Sequence, residues 1–186
     1  MTKETGVARF KGGWALVTGS ARKQGLGYAF CRGLAQQGLN IVLVDVLADD
    51  LAARAEELKK DFGIQVRTAA CDLGAPLPYT ALDEAVRGIE IDVLHCNHMY
   101  TPTDTPKILD MKLELHHKVL DVNARAYVNL IHRFGNEMKA RGKGAIILTA
   151  SGSGLIPTPY TAAYSGNKAF QIAFGEALWY ELQGTG

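Results

Sequence analysis

Apolar runs rich in β-branched residues recur along the chain, and the stretches between them take helical spacing. Trp14-Ala15-Leu16-Val17 ends at Thr18-Gly19 and reads as a first strand. Asn40-Ile41-Val42-Leu43-Val44-Asp45 predicts a second, without the alternation expected of a half-exposed strand, as when both faces of a sheet are covered. Gln65 to Cys71, Ile91 to His95 and Ala145 to Thr149 predict three more. Between the first two lies a glycine-bearing loop, Ser20 to Gly27, followed by helical spacing from Tyr28 to Gln37 that Gly38 closes. An amphipathic helix is predicted over Asp49 to Phe62, stopped at Gly63, and a weaker one over Thr80 to Arg87. Pro102 and Pro106 mark a loop, and a long helical region follows from Met111 to Ala140, broken near Asp121. After a small-residue turn, Ala150 to Gly154, a last helix carries Tyr164 and Lys168. Strands alternating with helices predict an α/β fold, a doubly wound parallel sheet in a single domain spanning 1–186.

Composition narrows the function classes. With 47% apolar residues and a formal charge of +1, the 186-residue chain is suited to a folded core and has no electrostatic bias toward nucleic acid or anionic membrane. Its first residues lack the apolar centre of a signal peptide, and no apolar run approaches membrane-spanning length. Cys31, Cys71 and Cys96 have no paired spacing, which fits reduced thiols and a cytoplasmic location.

Tyr164 and Lys168 are four residues apart, so a helix places both on one face. An ammonium beside a phenol favours the phenolate and lowers a pKa that otherwise sits near about 10. A tyrosine tuned in this way exchanges a proton with an alcohol or carbonyl at neutral pH. Ser151, at the mouth of the fifth strand, offers a hydroxyl to the same substrate oxygen. Taken alone, the pair is a weak signal and fits a half-buried tyrosine with a solvated lysine better than a catalytic pair. The N-terminal unit adds weight: strand, glycine loop, helix, strand and terminal acid is a layout that holds a dinucleotide. Its glycines let the backbone approach a pyrophosphate, and the helix N-terminus offers free N–H groups. Asp45 closes the second strand, where a carboxylate accepts ribose hydroxyls and repels a 2′-phosphate, favouring NAD over NADP. Arg22 and Lys23 are either partners for such a phosphate or solvated loop charges.

Together these motifs resemble the short-chain dehydrogenase/reductase family from about Lys11 to the end of the chain. The family's Thr-Gly-x-x-x-Gly-x-Gly corresponds to Thr18-Gly19-Ser20-Ala21-Arg22-Lys23-Gln24-Gly25-Leu26-Gly27, with two extra residues before the second glycine. A second alignment sets Lys23 at the middle glycine and Gly25 at the last, whereas the register of Leu34 to Gly38 supports the insertion. The resemblance implies a Rossmann-type fold with cofactor contacts from Gly19, Arg22, Gly25, Leu26, Gly27, Asp45, Asp72, Asn97, Tyr164 and Lys168. Asp72 follows the third strand, where the family sets an Asp against adenine. Asn97 alone survives of the family's Asn-Asn-Ala-Gly element; His98 and Met99 stand where small residues normally let the backbone pack close to the cofactor. Asp121-Val122-Asn123 matches the helix-four motif, so Asn123, Ser151, Tyr164 and Lys168 form the implied catalytic set, with Asn123 anchoring a water that links Lys168 to solvent. No metal is expected: on a strand, His95 points away from Cys96 and His98, and adjacent His116 and His117 diverge on a helix.

The implied activity is NAD(P)-dependent hydride transfer between nicotinamide and a secondary alcohol or ketone, by a homo-oligomer that binds neither nucleic acid nor membrane. Family members usually continue with a sixth strand, a substrate-covering segment and a seventh strand. This sequence stops at Gly186, so the C-terminal strands are expected to be missing and the fifth strand to lie at an open edge. A truncated, non-catalytic nucleotide-binding or oligomerisation module is the alternative.

Overall fold

The five apolar runs form one parallel sheet in the computed structural model, which describes residues 6–102 and 107–186. The strands are β1 (Trp14–Thr18), β2 (Asn40–Asp45), β3 (Val66–Ala70), β4 (Ile91–Cys96) and β5 (Ala145–Leu148). Their order is β3-β2-β1-β4-β5. The chain therefore builds outward from β1 in one direction, then crosses back to β4, and the reversal opens a crevice at the C-terminal ends of β1 and β4. Pro106, one of the two prolines expected to mark a loop, lies outside the described residues.

Helices cover both faces. On one side α1 (Leu26–Gln36) and α2 (Ala48–Phe62) bury Leu34, Leu51 and Leu58 against Val17, Ile41 and Leu43. On the other, α3 (Thr80–Ala85) and α5 (Ala126–Arg141) bury Leu82, Tyr127, Leu130 and Phe134 against Leu16, Val42 and Leu94. Two further helices, α4 (Leu113–Leu120) and α6 (Ala162–Glu181), flank this second layer. Both faces of β1 and β4 are thus covered, which is why Trp14 to Val17 is apolar throughout, while β4 buries Asp92 and His95 along with its apolar residues.

Several boundaries differ from the sequence expectation. The first helix begins at Leu26 rather than Tyr28, with Gly25 as its cap. The third ends at Ala85, where the Arg67 guanidinium donates to the carbonyls of Ala85 and Arg87, each at 2.9 Å. The long helical region is divided where expected: α4 passes through a wide π turn, Asp121–Arg125, into α5. The fifth strand stops at Leu148, and its four residues are half-buried rather than covered on both faces. It lies at the sheet edge, as expected, beside an open groove lined by Ile146, Ile172 and Trp179.

Candidate active site

Thr18, the last residue of β1, ties that strand's end to the end of β4. Its hydroxyl lies 3.2 Å from the carbonyl of His95 and accepts from the backbone N–H of Asn97 at 2.9 Å. The Asn97 amide in turn donates to the carbonyls of Thr18 (3.2 Å) and Gly19 (3.1 Å). Gly19 has φ +66°, a left-handed turn that swings the chain out of the strand toward α1. At the start of α1, Gly27 packs so closely that a Cβ would stand 2.2 Å from the Gly19 carbonyl oxygen and 2.7 Å from the Asn97 amide. A glycine required for tight helix-to-strand packing is the last of the three in the dinucleotide pattern. This geometry favours the alignment with two inserted residues. Gly25 caps α1, whose first N–H groups have no partner within the helix.

Asp45 closes β2 beside this loop. Its carboxylate accepts from the N–H of Ala21 at 3.1 Å and of Val46 at 2.8 Å, which fixes its orientation. A carboxylate has about four acceptor positions, so capacity remains for ribose hydroxyls. Arg22 is exposed on the loop, and Lys23 is drawn away into an ion pair with Glu57 at 3.1 Å. Leu26 is 63% exposed at the first turn of α1. Asp72 is exposed and accepts from the Gly74 N–H at 2.8 Å, capping its own turn. The cradle between Gly19 and Gly27, the free helix N-terminus and the fixed Asp45 carboxylate together suit a dinucleotide.

His98 and Met99, the bulky replacements, divide. The His98 ring turns into the protein, with Nδ1 at 2.7 Å from the Thr18 hydroxyl and its face 4.5 Å from the Tyr127 ring. Tyr127 donates to the His98 carbonyl at 3.0 Å, so ring and backbone are both held. The crevice is left clear of the imidazole. Burial pushes the His98 pKa down to about 3 and the His95 pKa down to about 4, and both rings are neutral at pH 7. His95 meets a different hydroxyl, Thr149, at 2.8 Å, so the two histidines do not converge. Met99 points the other way, is half exposed, and lines a cavity of about 590 Å³.

That cavity is bounded by Met99, Ile108, Met111, Val119 and Tyr160, and Tyr164 stands in its wall. Lys168, a turn further along α6, is only 3% exposed, with Nζ 5.8 Å from the centre of the Tyr164 ring. Its ammonium donates to the Thr149 carbonyl and to the Gln171 side-chain oxygen, each at 2.8 Å. Burial lowers its pKa to about 8. Ser151 is half-buried at the end of β5, where its hydroxyl accepts from the Ser153 N–H at 3.2 Å, leaving its own proton to donate. The turn that follows Ser151 is pressed on α6. A Cβ at Gly154 would meet the Lys168 carbonyl carbon at 2.6 Å and the Ala169 nitrogen at 2.7 Å. Ser151 is therefore held near the Tyr164 helix, although no hydrogen bond joins it to Tyr164 among the described residues.

Asn123 is buried inside the π turn. Its amide clamps Tyr100, accepting from the backbone N–H and donating to the carbonyl, both at 2.8 Å. The side chain expected to join the catalytic set thereby fixes the loop beyond β4. Its backbone carbonyl accepts from the Gln171 amide at 2.8 Å. Gln171 and Thr149 are the contacts sequence reasoning missed. Gln171 lies three residues after Lys168 and seven after Tyr164, so helical spacing alone already sets it on their face.

The profile of the short chain dehydrogenase family matches residues 13–186. A 7beta-hydroxysteroid dehydrogenase of Collinsella aerofaciens is 28% identical over 178 residues, covering 94% of this chain and 65% of the relative. A very-long-chain 3-oxoacyl-CoA reductase of Coprinopsis cinerea is 32% identical over 187 residues, covering 98% and 55%. The chain thus spans less than two thirds of the length of both. Among solved structures, the L-sorbose reductase from Gluconobacter frateurii, complexed with NADPH and L-sorbose, is similar at a TM-score of 0.85. It is 31% identical, with 95% of this chain and 66% of that one covered. On motif, fold and sequence alike, the chain belongs to the short-chain dehydrogenase family.

Proposed function

We propose that the protein is an NAD(P)-dependent oxidoreductase that interconverts a secondary alcohol and its ketone, with a bulky apolar group on the substrate. The observation that carries this reading is Tyr164 in the wall of an apolar cavity with a buried lysine one turn behind it. When bound, the nicotinamide supplies or accepts the hydride. The chain's own residues manage the proton and the substrate oxygen. Tyr164 gives its phenolic proton to the oxygen of a ketone being reduced, or takes one from an alcohol being oxidised. Lys168 favours the phenolate by its charge. Ser151 donates to the same oxygen and stabilises the charge that develops there. Met99, Ile108 and Met111 receive the apolar part of the substrate.

The nucleotide fits between Gly19 and Gly27, with its pyrophosphate at the N-terminus of α1 and Asp45 on the adenosine ribose. The Asp45 carboxylate favours NAD. The exposed Arg22 beside it, together with the NADPH bound by the sorbose reductase relative, favours NADP as the runner-up. A cytoplasmic, homo-oligomeric protein completes this reading, with the exposed Trp179 and Tyr180 as contact residues between copies.

The test is NADH and NADPH binding by fluorescence, followed by turnover on a panel of bulky secondary ketones. NADH is expected to bind more tightly. Tyr164→Phe is expected to keep cofactor binding and lose about 10²–10⁴-fold in kcat. A variant with wild-type turnover removes the assignment. The open groove beside β5 favours a second reading, a nucleotide-binding module without turnover. Tight NADH binding with no turnover on any ketone selects it.

A further inference from the structure

Lys168 and Asn123 belong to different helices, and a single side chain joins them. Gln171 is 1% exposed. Its Oε1 accepts from the Lys168 ammonium at 2.8 Å and its Nε2 donates to the Asn123 carbonyl at 2.8 Å. The amide has only this orientation, because reversing it would set N–H groups against an ammonium and an oxygen against a carbonyl. Asn123 in turn clamps the backbone of Tyr100, a residue lining the substrate cavity. A continuous polar chain therefore runs from Lys168 through Gln171 and Asn123 to the cavity wall.

We propose that Gln171 is a positioning residue for the proton-transfer site, its amide braced against the Asn123 carbonyl and holding the Lys168 ammonium charged and aimed. The need is physical. A nearly buried ammonium loses hydration and must recover it from protein acceptors. Lys168 has two such acceptors among the described residues, the Thr149 carbonyl and Gln171, and no carboxylate is ion-paired with it. The other titratable groups facing this region are Tyr164 on the same helix, Tyr127 on α5 and the neutral His98 at the end of β4. None of them is a carboxylate that could substitute for the amide. An amide accepts and donates but does not exchange its protons readily, so Gln171 fixes the lysine without carrying protons itself.

Replacing Gln171 separates this role from simple packing. Gln171→Met keeps length and bulk but removes the acceptor. Gln171→Glu sets a carboxylate against the ammonium. The readout is the titration of Lys168 by NMR in the 186-residue chain with ¹³C-labelled lysine, the signal being assigned by its loss in Lys168→Met. Gln171→Met is expected to lower the Lys168 midpoint by about 1 pH unit or more, and Gln171→Glu to raise it. A filler would leave the Gln171→Met midpoint unchanged, and that result overturns the proposal. Gln171→Leu, which likewise removes the acceptor, decides it if Gln171→Met fails to fold. The titration requires neither cofactor nor turnover, so it stands or falls apart from the proposed activity.

Discussion

His98 illustrates how a single side chain takes on a role its position does not announce. It stands at a place where bulk threatens the cofactor crevice, yet its ring is folded down onto Tyr127 and Thr18, and burial keeps it neutral. In the unfolded chain a histidine titrates near about 6.5. Between that value and the folded value of about 3, the unfolded state binds the extra proton, so stability rises with pH across this window and is lost on acidification. His95, lowered to about 4, acts in the same sense. Urea unfolding is expected to weaken from pH 7 to pH 4, with each histidine contributing a slope of up to about 1.4 kcal/mol per pH unit. His98→Gln should flatten that slope; an unchanged slope would detach His98 from it. The Tyr164–Lys168 pair was legible because both lie on one helix, where spacing alone fixes the face. The seat of His98 was not, since it depends on Tyr127 from α5, and the Asn123 carbonyl found by Gln171 likewise comes from another helix.

Among the elements, the turn after β5 shows how packing, rather than hydrogen bonding, locates Ser151. Gly154 lets the turn press on the backbone of α6 at Lys168 and Ala169. Gly154→Ala sets a methyl against that backbone, and because backbone cannot swing aside, the turn must lift. The expected outcome is a stability loss of about 1–3 kcal/mol by urea titration. It comes with a kcat loss of about 10–100-fold, as a displaced Ser151 no longer meets the substrate oxygen. Wild-type kcat in a folded Gly154→Ala protein would separate Ser151 from that contact. The strands themselves were legible because two covered faces demand unbroken apolar runs, as in Ile41 to Val44. Ends were harder to read. The arginine that closes α3 comes from β3, and the early start of α1 follows from the Gly27 contact with the Gly19 carbonyl, neither of which is a local pattern.

Across the whole molecule, burial falls from the centre of the sheet toward both edges. β1 and β4 are buried along their length, whereas β5 is half-buried at the edge, and Trp179 and Tyr180 near the end of α6 are exposed. Native-state hydrogen exchange is expected to follow that gradient. Amides of β1 and β4 should open only with global unfolding, and those of β5 about 100-fold or more faster. Uniform protection across the five strands would contradict it. The π turn at Asp121–Arg125 has a consequence at this scale too. One extra residue rotates the helical rod about its axis in mid-course, so its two halves serve different masters. Upstream, α4 sinks only Val119, which borders the substrate cavity, whereas downstream α5 anchors Tyr127, Leu130, Ile131, Phe134 and Met138 beneath the sheet. Substitutions can therefore reshape the upstream half to suit a new substrate while the foundation of the fold stays in register.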